Sequence, residues 1–394
     1  MTYDELRKQS NKGWNTWYSP SMTAHVLLPY GFAVNLCFRD YAESETIRNL
    51  KVGTKGLRPG ERSWDGAYTC LKFESESASY TVESTADNEN QFLLVTPDIT
   101  GIKAPSLIIE TCLFWGKEGT VSKHNGQLTA DFPDGRHIEV FTSGEPDSFV
   151  YSGSSCPFVS VKLDNPVAVS TCPCSVSEVR KKLDAAREKV LEDEAAYGVN
   201  SSAYQAMKSC LAWDTVYEPD HDRICSPVSR SWSEGWGGYV LFCWDTYFAS
   251  MMSSYGSRAL AYLNAFAITD EITEDGFVPN FGAEGDFKSR DRSQPPVGSM
   301  VVKLLWEKFH DDWFVKEIWG ALYRWNTWFY ENRTLLTERF AGARANSVHA
   351  QEDILKRTTP EIFKGQNLNR DSTIRRCTTM RYLMKLPKKC CCPT

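Results

Sequence analysis

The hydrophobic rhythm of this chain changes once, at Ser175, and the change dictates two kinds of structure in series. Before it, short apolar or alternating runs recur at 24–28, 32–38, 107–114, 137–141, 158–163 and 167–170. Turn signals such as Pro59-Gly60, Asp134-Gly135 and Asn165-Pro166 lie between them. Many short strands with no helical period among them predict an N-terminal antiparallel β-sandwich over residues 1–174. At the change itself, Ser175-x-x-Glu178 is a capping box, in which the serine side chain and the glutamate satisfy amides that a helix start leaves free. Val179, Leu183, Ala186 and Val190 then recur on one helical face. Residues 175–198 are therefore expected to form a linker helix ending before Gly198.

Beyond the linker the chain is helical and rich in Trp. Helical periods fit 203–213, 244–255, 258–268, 300–309 and 313–330, with long loops at 218–238 and 273–297. Helix followed by long decorated loop is how an α/α barrel builds a site at one rim, since loops on a rigid scaffold carry function.

Charge and aromatic content mark a second seam, at Thr334. The formal net charge is −6, but residues 335–394 hold 12 Lys and Arg against 5 Asp and Glu, whereas residues 1–334 hold 32 against 45. All 13 Trp precede Leu335. The tail has no helical stripe longer than two turns, and its composition predicts disorder. Its Cys390-Cys391-Cys392-Pro393-Thr394 end fits a prenylation motif poorly.

Several function classes are excluded. No apolar stretch reaches the roughly 18–20 residues a membrane helix needs, and Met1-Thr2-Tyr3-Asp4-Glu5 lacks a secretion signal's basic region and apolar run. The 13 cysteines have no framework spacing, and Cys172-Pro173-Cys174 has no second pair at zinc-finger distance. Reduced, mostly buried thiols in a cytoplasmic protein are expected. An acidic body opposes a nucleic-acid groove, and the basic tail lacks aromatics for base stacking. His25, His137 and His310 have no ligand-like spacing, so neither a metal nor a cofactor is expected.

Aromatics and carboxylates concentrate in the long loops. One stretch runs Trp232-Ser233-Glu234-Gly235-Trp236-Gly237-Gly238 and continues at Trp244-Asp245-Thr246-Tyr247-Phe248; the other holds Asp275-Gly276-Phe277-Val278-Pro279-Asn280-Phe281 and Arg290-Asp291-Arg292-Ser293-Gln294-Pro295-Pro296. Sugars present C–H faces that stack on Trp and hydroxyls that need Asp, Asn, Gln and Arg partners, so such a rim suits a saccharide. Blander readings stand beside this one. Trp306, Trp313, Trp319, Trp325 and Trp328 have helical spacing and are expected in the core. Asp245 also fits a helix-start acid that complements the dipole, and Glu284, Asp286 and Asp291 fit solvated loop charges.

Gly13-Trp14-Asn15-Thr16-Trp17, His25-Val26-Leu27-Leu28-Pro29, Phe242-Cys243-Trp244-Asp245-Thr246-Tyr247-Phe248, Asp275-Gly276-Phe277-Val278-Pro279-Asn280 and Ser293-Gln294-Pro295-Pro296 occur in that order. Over about residues 13–330 the chain resembles glycoside hydrolase family 63 and its relatives, the mannosylglycerate-hydrolase-like α-glucosidases. The resemblance implies an N-terminal β-sandwich followed by an (α/α)6 barrel, of which residues 199–334 would be the first half. It implies inverting hydrolysis of α-glycosidic, above all α-glucosidic, bonds in oligosaccharides. It also implies substrate-binding roles for Trp236, Trp244, Asp245, Asn280 and Gln294. The oligosaccharide is then the expected partner, with no membrane and no nucleic acid. A non-catalytic carbohydrate-binding protein using the same Trp-rich rim is the alternative.

Inversion needs two carboxyl groups roughly 6.5–9.5 Å apart, one donating a proton and one activating water. The family's Glu-Ser-Gly-x-Asp-Asn-Ser-like acid motif and its later base are both missing from the chain, so an inactive protein is expected. The tail offers a reason. Read from the third base of each codon, permitted codons for residues 336–342 spell Asp-Gly-Thr-Phe-Cys-Trp-Gly. In the same phase, those for 365–381 spell Ala-Glu-Leu-Glu-Ser-Gly-Phe-Asp-Asn-Ser-Pro-Met-Tyr-Asp-Asp-Ala. Residues 335–394 are therefore read as an out-of-frame or disordered tail. Sequencing the coding DNA through codon 334 checks this: the shifted frame is expected to encode the acid motif near codon 365, and its absence there ends the frameshift account.

Overall fold

A computed structural model describes residues 1–333 except 43, 44, 88, 102, 149, 150, 152 and 237, with the backbone alone at Glu45 and Glu234. The expectation of an out-of-frame or disordered tail at 335–394 lies outside the described residues. Among the described residues there are seven α-helices: α1 (Tyr3–Ser10), α2 (Val176–Ala195), α3 (Ser201–Asp214), α4 (Cys243–Ser253), α5 (Arg258–Thr269), α6 (Gly298–Phe309) and α7 (Asp312–Arg333). The chain divides into two compact units: Asn11–Pro219, and Met1–Ser10 with the chain from Asp220 onward.

The first unit holds two large antiparallel sheets. One has the strand order Gly13–Asn15, Ala24–Leu28, Phe32–Asp40, Ser106–Leu113, Phe158–Lys162, with Glu45–Ile47 paired on Phe32–Asp40. The other runs Thr120–His124, Gln127–Asp131, His137–Thr142, Val167–Ser170, Gln91–Ile99, Ala78–Ala86, Tyr68–Glu74, Arg58–Arg62. Side-chain alternation explains how they pack. Phe32, Val34, Leu36 and Phe38 join Leu71, Phe73, Leu93, Val95, Val167 and Val169 in one core between the sheets. The opposite parity, Tyr68, Phe92, Leu94 and Ala168, meets Val179, Leu183 and Val190 of α2. The strand at Gln91–Ile99 is therefore apolar on both faces at its start, because a sheet covers one face and a helix the other.

The capping box read at Ser175 is present: Glu178 N–H donates to Ser175 Oγ at 3.3 Å, and Ser175 N–H to Glu178 Oε2 at 2.8 Å. Sequence reading missed α1, although Thr2-x-x-Glu5 carries the same signal. Glu5 N–H donates to Thr2 Oγ1 at 3.2 Å and Thr2 N–H to Glu5 Oε2 at 2.8 Å. This short helix belongs to the second unit, where Tyr3 stacks on Phe266 of α5 at 4.1 Å.

Two expectations need correction. Trp325 and Trp328 are core residues, at 1% and 3% exposure, but Trp306, Trp313 and Trp319 are half-buried. Trp306 lies near the end of α6, where its indole donates to Asp312 Oδ1 at 2.9 Å and its ring meets His310 edge-on. The thiols are less buried than expected: of the nine described cysteines, Cys37, Cys112, Cys225 and Cys243 are buried, Cys70, Cys156, Cys172 and Cys174 half-buried, and Cys210 exposed. Among the described residues no helix is long and apolar enough to cross a membrane.

Within the first unit, Glu110 is fully buried and yet accepts from Asn35 Nδ2 at 3.1 Å, Arg48 Nε at 3.1 Å and Ser154 Oγ at 2.6 Å. It ties the first sheet to the segments at Arg48 and Ser154. Removing it takes an acceptor from all three side chains. Glu110→Ala is expected to cost on the order of 3 kcal/mol, the low end for a broken buried pair because half-exposed Arg48 can turn to water. Urea denaturation checks this; a loss below about 1 kcal/mol contradicts the role given to the network.

Candidate active site

The second unit is organised around α5, buried along its whole length from Leu260 to Thr269 and packed against α1, α4, α6 and α7. The long loops contribute one short antiparallel ribbon, Val240–Phe242 with Phe281–Ala283, which sets Phe242 opposite Phe281. Helix α4 starts where the first ribbon strand stops. Its N-cap, Phe242, has extended backbone and no side chain able to cap. The first free amides are satisfied from other segments instead. Cys243 N–H donates to the Asn280 carbonyl at 3.1 Å, and Trp244 N–H to Gln294 Oε1 at 2.8 Å.

Those two caps bring together motifs far apart in sequence. Asn280 N–H donates in turn to the Arg292 carbonyl at 3.0 Å. Ser293 Oγ donates to the Val278 carbonyl at 2.6 Å and accepts from the Trp325 indole at 3.1 Å, so α7 fixes the same loops. Gly298 opens α6 against Tyr247 of α4; a Cβ there would lie 2.6 Å from Tyr247 Cζ. The Ser-Gln-Pro-Pro segment reaches α4 through this close approach.

Trp244, Asp245, Asn280 and Gln294 thus meet at one place. Trp244 is 37% exposed. Asp245, in the first turn of α4, is half-buried. Burial pushes its carboxyl above the usual aspartate range, against a hydrogen bond from the Trp244 side chain that favours the charged form. Asn280 and Gln294 are half-buried. The Asn280 carboxamide and Gln294 Nε2 make no hydrogen bond to a described side chain or backbone group. Trp236 stands on the ribbon rather than on α4: it lies parallel to Phe281, 5.0 Å between centroids and 9° between planes, and is 37% exposed.

Two other acids in these loops are ion-paired. Asp286 bonds Lys288 and Arg290, at 3.2 and 2.7 Å, and Lys288 holds its carboxyl below the usual range. Asp291 pairs with Arg292 at 2.7 Å. The Glu234 side chain lies outside the described residues. Among the described residues, no group of three or more His, Cys, Asp or Glu side chains is placed to hold a metal ion. His25 is a buried core residue, with burial holding its imidazole down at about 3.

Sequence reading missed Glu271. It is 3% exposed at its side chain and bonds Arg223 at 2.7 Å and Lys288 at 3.0 Å. Gly282 of the ribbon lies directly on it, since a Cβ there would be 2.5 Å from Glu271 Cδ. The carboxylate therefore props the ribbon against the end of α5. A Glu just beyond a largely apolar helix is the signal that could have found it. Beside it, Tyr3, Arg7, Asp220, His221, Asp222, Arg223 and Asp270 line a cavity of about 310 Å³. A second cavity, about 480 Å³, lies in the first unit among Tyr30, Asn90, Asp134 and Arg136.

Asp270 carries a pH prediction. The protein packed around its carboxyl raises its pKa to about 6, although the residue keeps an exposed face; Arg223 and a hydrogen bond from Tyr3 oppose the rise. A pKa higher folded than unfolded gives stability that is fully present below about pH 4 and is lost as pH rises through about 6. Relative to Asp270→Asn, the native chain is therefore expected to lose stability between pH 4 and 7. Urea midpoints across that range check it, and a difference independent of pH contradicts it.

No family model matches the chain, and no curated protein matches it. Among solved structures the chain is similar to a putative kojibiose phosphorylase from human microbiome, with 10% identity and a TM-score of 0.38. The match covers 77% of this chain and 50% of that one, so the chain spans about half the length of that protein.

Proposed function

We propose that the chain is the sugar-binding part of an α-glycoside hydrolase of family-63 type. In this reading the two-sheet unit is the family's N-terminal sandwich, and the helices from α4 to α7 are the first half of an (α/α)6 barrel. The observation that carries it is the joint capping of α4 by Asn280 and Gln294. It sets the exposed Trp244 indole and the half-buried Asp245 carboxyl beside the Gln294 carboxamide and the backbone of Asn280. A pyranose needs that combination: a flat apolar surface for its C–H face, with donors and acceptors around the edge for its hydroxyls. Apolar walls with a few convergent polar groups also suit a small neutral ligand better than an ionic one.

Hydrolysis asks for more. Protonating a glycosidic oxygen and activating water takes two carboxyl groups on opposite sides of the scissile bond. Among the described side chains gathered at α4, Asp245 is the single carboxyl. Asp286, held as a carboxylate by Lys288 and Arg290, is poorly suited to give up a proton at neutral pH. The chain as written therefore binds α-linked gluco-oligosaccharides and does not cleave them. A dedicated carbohydrate-binding protein would use the same rim in the same way, and the absent acid motif is the observation that keeps this second reading in view.

Calorimetry with maltose and maltotetraose, alongside an aryl α-glucoside turnover assay, tests the proposal. Expected are dissociation constants on the order of 1 mM, about 4 kcal/mol, weakened about tenfold by Trp244→Ala, and no turnover. Sustained turnover by the purified chain overturns the inactive reading. Failure of any gluco-oligosaccharide to bind overturns the sugar reading itself.

A further inference from the structure

The ribbon carries more exposed aromatic surface than the residues gathered at α4 use. Phe242 and Phe281 sit opposite each other, with ring centroids 6.2 Å apart. Trp232 stands edge-on to Phe242 at 5.0 Å and 74°. Trp236 stacks on Phe281, and Phe287 meets both Trp236, at 5.3 Å and 61°, and Phe281, at 5.7 Å. The base is covered, with Phe281 at 8% exposure, while Trp232, Trp236 and Phe287 keep 52%, 37% and 48%.

The backbone holds these rings in place. Ser233 and Gly238 exchange hydrogen bonds at 2.9 and 2.8 Å, and Trp236 N–H donates to the Ser233 carbonyl at 3.1 Å. On the other side Ala283 N–H donates to the Phe287 carbonyl at 2.8 Å, and Ser289 N–H to that of Phe281 at 3.1 Å. Grouped exposed aromatics on a fixed base mark a binding surface rather than scattered apolar exposure. The neighbouring charges say what binds. Asp286, Arg290 and Lys288 form an ion-paired group beside Phe287. An apolar protein face would desolvate these charges at a cost, whereas sugar hydroxyls hydrogen-bond to them. Ring orientation narrows the choice. A straight, flat chain cannot lie on Trp236 and Phe287 together when their planes differ by 61°; a bent, α-linked chain can.

We propose that Trp232, Trp236 and Phe287 form an accessory subsite for further residues of an α-linked glucan, beyond the sugar held at Trp244, Asp245, Asn280 and Gln294. The proposal rests on the sugar reading above, and the experiment separates the two. Maltose, maltotetraose, maltohexaose and cellotetraose are titrated into the native chain, Trp232→Ala and Phe287→Ala. Trp232→Leu and Phe287→Leu are added because they keep apolar packing on the ribbon while removing the flat face.

In the native chain, affinity should rise about tenfold or more from maltose to maltohexaose, and cellotetraose should show no comparable gain. The leucine variants should bind maltose as the native chain does and lose most of the gain with length. Equal length dependence in native chain and variants overturns the accessory subsite. So does an equal gain with cellotetraose, or maltose binding with no gain in the native chain. Loss of maltose binding in the folded leucine variants shows one shared site and overturns it too. Failure of every saccharide to bind the native chain overturns the sugar reading first.

Discussion

Helix α4 begins without a cap of its own, and the geometry around the candidate site depends on that deficit. Amides at a helix start must be paired wherever water cannot reach them. Here a carbonyl from one long loop and a carboxamide from another supply the bonds, at 3.1 and 2.8 Å. The same two bonds fix the loops to the helix. Trp244 and Asp245 are consequently presented beside Asn280 and Gln294 by the hydrogen bonds that pair the first amides of α4. A scaffold of this kind positions side chains more tightly than free loops could.

Buried carboxylates act as ties in both units. Glu110 joins the first sheet to Arg48 and Ser154. Glu271 joins Arg223 and Lys288 under the ribbon. Such groups are weak sources of net stability, because desolvation offsets most of their attraction. Their effect is geometric: each carboxylate ties together side chains from separate segments. Gly282, pressed against Glu271, shows how closely the ribbon follows its support. The exposed rings of Trp232, Trp236 and Phe287 stand on that ribbon.

Much of this was legible in the sequence, for identifiable reasons. The helices at 203–213, 258–268 and 300–309 read correctly to within a few residues because their apolar periods are long and regular. The strands at 68–74, 78–86 and 91–99 were not read. Their sequences mix Ser, Thr and Glu with apolar residues, because cross-strand pairs such as Thr69 and Ser84 hydrogen-bond to each other. Helix α1, eight residues long, was not read, although it carries a capping box. At the site, the family resemblance implied Trp236, Trp244, Asp245, Asn280 and Gln294. The way Trp244 and Asp245 meet the segments at Asn280 and Gln294 was hidden, since it runs through a backbone carbonyl and a side chain that cap a helix from 37 and 50 positions away. Glu271 was hidden for the same reason: its partners Arg223 and Lys288 lie 48 and 17 positions away and meet it only in the fold.

Amide hydrogen exchange with and without maltotetraose tests the central claim most directly, because it reads the capping bonds themselves. If sugar binds at the rim built by those bonds, the amides of Cys243 and Trp244 and the segments around Asn280 and Gln294 should slow together on ligand addition, while the sheets of the first unit stay unchanged. Protection confined to the first unit, or bound sugar with no change at these amides, would contradict the account.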